Sequence, residues 1–259
     1  MFGFAYSIKE HFTFSRKEFI ELFWTSLAFA FILSFRKWGV GKQVDVGAGL
    51  LNLFLALLFV LAAMLIHVCC QKIVAIKLGY KATYSYWLNG IFLSMLLVFM
   101  SVGFIVFILP GAVLIEHIPQ LRLGKFRYGT NLKDVARVAL AGPISHILAV
   151  MFAGVFYFVF GKNEWIFVFM VVNLFLAVYS MLPIPKIDIP TKMDSGSDGL
   201  GMFFFSRTLY VLVLVTIIVF VGLVFVASTY AALWWMFILA FIIGCIVSGI
   251  YSITLEQKN

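Results

Sequence analysis

LIHVCCQKIVA, residues 65–75, closes a long apolar run and carries the first histidine of a helical metal motif without the rest of it. The pattern His-Glu-x-x-His puts two imidazoles four residues apart on one helix face, with a glutamate beside them to activate a metal-bound water. His67 stands at the first position, Val68 where the glutamate belongs and Gln71 where the second histidine belongs. A valine cannot accept a proton, and a glutamine amide is a poor substitute for imidazole. The stretch therefore has three readings: a disabled catalytic helix, a metal site rebuilt from other ligands, or an ordinary membrane helix with an inherited, hydrogen-bonded histidine.

Composition decides where that helix lives. Of 259 residues, 64% are hydrophobic, 18% aromatic and 12% charged, more apolar surface than a soluble core of this size can hide. The chain reads as a single integral membrane domain over 1–259. Apolar runs long enough to cross a hydrocarbon core as helices fall near 18–35, 48–72, 86–109, 137–160, 164–184, 206–227 and 231–252. The first nineteen residues mix charges with aromatics and lack a cleavage site, so no cleaved signal peptide is expected. Cys69, Cys70 and Cys245 all lie in apolar runs and read as small buried hydrophobes rather than a disulfide framework. The net charge of +8 needs no nucleic acid to explain it, because cytoplasmic loops of membrane proteins collect lysine and arginine.

Charge also orders the spans. If all seven runs cross, the basic residues split seven against twelve. If the 86–109 run enters and leaves on one side, only Arg36, Lys37, Lys42 and Lys162 lie opposite the other fifteen. The positive-inside rule prefers the second arrangement, with six spans, a re-entrant segment and both termini cytoplasmic. Trp38, Trp165, Trp234 and Trp235 then lie near the outer boundary and Trp87 near the inner one. Gly103 and Pro110-Gly111 are places for the re-entrant chain to turn. The chain divides into a cytoplasmic N-terminus (1–17), a first helix pair (18–72), a re-entrant and β region (73–136), core helices with a proline-rich loop (137–205) and a C-terminal helix pair (206–259). Alternation of Leu121, Leu123, Phe126 and Tyr128 with polar residues around Gly124 predicts a small β-hairpin within 118–129. Glu21 reads as an anchoring charge at the start of the first span, and Gly244 with Ser248 as a small-x-x-x-small packing pair.

Three stretches fall on the same side in this arrangement: IHVCCQK (66–72), LAGPISHI (140–147) and NLFLAVYSMLPIPKID (173–188). In this order they resemble the site-2 protease family of intramembrane zinc metalloproteases, particularly its archaeal members. That family combines a His-Glu-x-x-His helix, a Gly-Pro-x-x-Asn helix start, and an asparagine-bearing helix running into Leu-Pro-x-Pro-x-x-Asp-Gly. The corresponding segments here are His67 to Gln71, Gly142-Pro143-Ile144-Ser145-His146, and Asn173 followed by Leu182-Pro183-Ile184-Pro185-Lys186-Ile187-Asp188. The resemblance implies an archaeal protein of the cell membrane, an all-helical membrane bundle, and zinc ligands at His67, Gln71 and one aspartate. Asp188 has the family spacing without the following glycine; Asp198 has the glycine but lies ten positions later.

The departures remove both the base and a principal ligand, and general-base catalysis is typically worth ~10²–10⁴-fold. A rebuilt zinc site would draw on His67, Cys70, His146 and Asp188 or Asp198, since thiolate, imidazole and carboxylate all suit zinc. Zinc is the one cofactor this sequence suggests. The leading expectation is a site-2-protease-like membrane protein without ordinary proteolysis. It would bind other membrane proteins by holding a transmembrane helix in a recess or by pairing an extended peptide with the 118–129 hairpin. The alternatives are an active intramembrane metalloprotease with unusual ligands and a structural subunit of a membrane complex.

Overall fold

The structure, a computed structural model, describes residues 4–40, 43–118, 130–185 and 197–256. It opens with a short helix α1 (Phe4–His11) and a first long helix α2 (Arg16–Ser34), which starts at a capping box: Ser15 accepts from the Glu18 amide and Glu18 accepts from the Ser15 amide. A single helical turn and a minimal hairpin, β1 (Gly39–Val40) with β2 (Gln43–Val44), lead into α3 (Val46–Lys77). Then follow β3 (Tyr80–Ser85), α4 (Leu88–Met100), β4 (Ala112–His117), α5 (Leu132–Val159), α6 (Glu164–Ser180), α7 (Asp198–Phe205), α8 (Arg207–Val224) and α9 (Tyr230–Tyr251). Asp45, Asn131, Asn163, Ser197, Ser206 and Thr229 cap the helices that follow them, each side chain accepting a first-turn amide.

Five of these helices, α2, α3, α5, α8 and α9, are long and apolar enough to cross a membrane; α6, with 17 residues, is a shorter apolar helix. The chain is thus an all-α membrane protein with a small sheet. Hydropathy placed two helix ends about five residues short, because α3 continues to Lys77 and α5 begins at Leu132. The added turns carry Lys77, Lys133 and Asp134, charges that water rather than lipid can hold.

The 86–109 run does not form one helix. β3 and β4 pair antiparallel with Ser85 opposite Ala112, so the intervening chain leaves and returns at the same place. α4 runs beside α2 until Phe99 packs on Phe31 and Phe35 at the far end of that helix, ring centroids 6.0 and 5.2 Å apart. The chain turns at Val102 and Gly103, both with positive φ; a Cβ on Gly103 would stand 2.6 Å from Arg36 Cγ. The return from 104 to 111 is not helical, and its backbone is covered as membrane depth requires. Ile108 and Leu109 are buried, Tyr179 Oη donates to the Val106 carbonyl, and the Gly111 amide donates to Tyr84 Oη.

The sheet that is described, β3 with β4, lies before the stretch where alternation suggested a hairpin; 118–129, with Leu121, Leu123, Phe126 and Tyr128, falls outside the described residues. Gly244 packs closely, as its small-x-x-x-small spacing suggested, a Cβ there falling 2.2 Å from Thr216 Oγ1 of α8. One further expectation changes. Cys245 is exposed, and Cys69 and Cys70 are partly buried, so none of the three is a core residue.

Candidate functional site

His67 lies on α3, His146 on α5, Asn173 on α6 and Asp198 at the first position of α7; the four meet in one buried chain of hydrogen bonds. His67 Nε2 is 3.0 Å from Asp198 Oδ2, His67 Nδ1 is 3.0 Å from His146 Nε2, and His146 Nδ1 is 2.9 Å from Asn173 Oδ1. Gln71, one turn beyond His67, donates from Nε2 to Asp198 Oδ1 at 2.8 Å. His146, Gln71 and Asn173 have no exposed surface, and His67 is 7% exposed.

Local sequence explains the convergence. A Cβ on Gly142 would sit 2.3 Å from His67 Cε1 and 2.8 Å from Gln71 Nε2, so only glycine lets α5 pass this close to both side chains. Gly199 serves α7 in the same way, since a Cβ there would lie 2.0 Å from the Met181 carbonyl oxygen at the end of α6. Ser197 fastens the start of α7 to the Leu-Pro-Ile-Pro run by donating to the Leu182 carbonyl and accepting from the Ile184 amide at 3.0 Å. Asp198 therefore reaches His67 despite its ten extra positions. Asp188 lies outside the described residues.

The donors and acceptors can be counted through the network. Asn173 Nδ2 donates to the Phe169 carbonyl at 2.9 Å, which turns its Oδ1 toward His146. An amide oxygen only accepts, so His146 Nδ1 carries the hydrogen and neutral His146 accepts at Nε2 from His67 Nδ1. His67 Nε2 then faces Asp198 Oδ2 at 3.0 Å, so the imidazole and the carboxylate are placed to pair where both are largely buried.

These donors do not fit a catalytic zinc ion. His67 Nδ1 is engaged with His146, which leaves His67 Nε2 and the Asp198 carboxylate as the donors that could face an ion. The remaining group is Gln71, whose Oε1 is buried without a partner among the described residues. One imidazole, one carboxylate and one neutral amide fall short of the three imidazole, thiolate or carboxylate ligands usual in catalytic sites. Among the described residues no group of three or more His, Cys, Asp and Glu stands close enough to hold a metal ion. Cys70 is not among the hydrogen-bonded partners of His67. Val68, at the position of the base, is fully buried in an apolar cluster.

A second polar cluster, missed in the sequence, fixes the sheet beside this site. Lys72 Nζ reaches Glu18 Oε1 at 2.8 Å, the Thr13 carbonyl at 3.0 Å and the Ala82 carbonyl at 2.9 Å, and both charged side chains are buried. Glu18 also accepts from the Tyr84 amide at 2.7 Å. Glu21 is buried rather than an exposed anchor: it accepts from the Tyr86 amide at 3.1 Å and pairs with Lys17 at 3.8 Å. Burial pushes the Tyr84 phenol far above its usual range, so it remains a neutral donor to Thr25 Oγ1 at 3.1 Å. The only sequence signal for this cluster was spacing, with Glu18 and Glu21 sharing one face of α2. Val113 and Ile115 of β4, with Gln71, Asp198 and Phe204, line a narrow cleft beside the network.

Over 181 residues, 68% of this chain and 83% of its counterpart, the sequence is 29% identical to the Methanocaldococcus jannaschii protein named "Putative zinc metalloprotease MJ0611". No family model matches the chain, and no solved structure does. The chain is a metalloprotease-like membrane protein.

Proposed function

We propose that this chain is a site-2-protease-like membrane protein that does not hydrolyse peptide bonds and instead binds other membrane proteins. The observation that carries the reading is the buried Asp198–His67–His146–Asn173 chain, in which Gln71 stands beside Asp198 where a second metal-binding imidazole would be needed. Beside it, Val68 offers no atom that could take a proton from water. The same scaffold keeps a cleft next to Asp198, bordered by the edge of β4 at Val113 and Ile115. An extended segment of a client can add to that edge through main-chain hydrogen bonds while its side chains enter the cleft between Val113 and Phe204. Binding of this kind uses the groove and needs no metal. The Leu121, Leu123, Phe126 and Tyr128 stretch, which follows β4 directly, is proposed as an extension of the same docking surface.

The test uses the full chain purified in mild detergent and presented with a panel of transmembrane peptides, with zinc and with chelator. The expected result is no cleavage under either condition, together with photocrosslinks from Val113 or Ile115 to a membrane protein in native membranes. Cleavage that requires zinc and is lost in His67→Ala would overturn the reading.

A further inference from the structure

A groove of ≈ 950 Å³ opens between α2 and α4, away from the polar network, and its lining changes from one end to the other. Arg16 and Lys17, in the first turn of α2, mark one end; Trp24 and Phe31 of α2 with Ile91 and Met95 of α4 form an almost wholly apolar remainder. Glu21 also borders the basic end, but its carboxylate is already engaged by Lys17 and the Tyr86 amide. Arg16 enters no ion pair among the described residues. We propose that this groove holds an anionic membrane lipid, with its hydrocarbon chains along Trp24, Ile91 and Phe31 and its acidic headgroup at Arg16 and Lys17.

Two features select that occupant. The charge is confined to one end, which matches an amphiphile with one acidic head and an apolar tail. Arg16 and Lys17 stand in the first turn of the first long apolar helix, so a headgroup there sits at the membrane boundary while its chains follow α2 inward. A neutral lipid would fill the apolar part but leave Arg16 uncompensated.

Trp24, 57% exposed and inside the groove, is the reporter. The full chain is reconstituted in phosphatidylcholine vesicles containing a minor fraction of lipid brominated on its acyl chains, either phosphatidylglycerol or phosphatidylcholine. The Trp24 contribution is obtained by difference from Trp24→Phe. Brominated phosphatidylglycerol is expected to quench Trp24 at a several-fold lower mole fraction than brominated phosphatidylcholine. Arg16→Gln should lower that preference about fivefold, and Arg16→Gln with Lys17→Gln should abolish it. Both residues are exposed, so these variants fold. Ala28→Phe, which fills the groove and keeps the cations, should reduce quenching by the anionic lipid. Equal quenching by the two headgroups, or a preference that survives the double substitution, overturns the proposal. So does protection of Trp24 from both lipids by a crosslinked transmembrane helix, which would give the groove to a protein.

Discussion

At Asp198 a single carboxylate closes the network from one side, accepting from Gln71 and pairing with His67 Nε2 at 3.0 Å. Removing one partner of a nearly buried pair leaves the other uncompensated, at a cost of about 3–5 kcal/mol. Asp198→Ala should therefore lower stability by that order, measured by thermal unfolding in detergent, and Asp198→Asn by less, because an amide oxygen still accepts from Gln71. The opposite experiment restores chemistry. Gln71→His with Val68→Glu supplies the missing imidazole and base next to His67 and Asp198, and metal analysis should then find zinc in the purified variant where the parent has none. If the double variant stays metal-free, the missing ligand is not what sets the parent apart. Parts of this site were legible in the sequence: His67, His146, Asn173 and the glycine of Gly142-Pro143 stood out by motif. The place of Asp198 beside His67 was not, because it depends on Ser197 bonding back to Leu182 and Ile184, which are distant in sequence. No periodicity records a contact of that kind.

Among the elements, β3 is held in place by α2 and α3 rather than by its partner strand alone. Lys72 carries the connection from α3 to Glu18, Thr13 and Ala82, and Glu18 carries it on to Tyr84. Lys72→Met strands a buried carboxylate and should destabilise by about 3–5 kcal/mol, whereas Lys72→Met combined with Glu18→Gln should recover a large part of the loss. A double-mutant cycle on unfolding free energies measures the coupling, and simple additivity would mean that the two charges act independently. The helices themselves were readable from apolar runs and cap residues, since each depends on local composition. The β3–β4 sheet was not. Its strands lie on either side of the re-entrant segment; Tyr80, Ala82 and Tyr84 alternate with Lys81, Thr83 and Ser85, but the partner strand AVLIEH carries no such alternation. The 86–109 run illustrates the limit of hydropathy: length and apolarity are those of a span, yet Gly103 and the Ser85–Ala112 pairing turn it back.

For the whole molecule, the re-entrant path makes sidedness a physical consequence of pairing. Ser85 and Ala112 face each other in one two-stranded sheet, so both lie at the same end of the bundle. We propose six crossings, with α6 as the shorter one beside the five helices long enough to span, so that the chain returns to its starting side after α9. Along the sequence that path divides the nineteen basic residues fifteen to four, with Arg36, Lys37, Lys42 and Lys162 in the minority. Single cysteines introduced at Lys9, Lys81 and Glu116 in a background without Cys69, Cys70 and Cys245 should therefore all react with a membrane-impermeant thiol reagent from inside, in inverted vesicles. A cysteine at Lys162 should react only from outside, in intact cells. A full crossing by the 86–109 run would instead put Lys81 and Glu116 on opposite sides of the bilayer, a result incompatible with their facing each other across β3 and β4. The labelling pattern thus tests the pairing, the re-entrant path and the charge asymmetry together, because none of the three can change without moving Glu116.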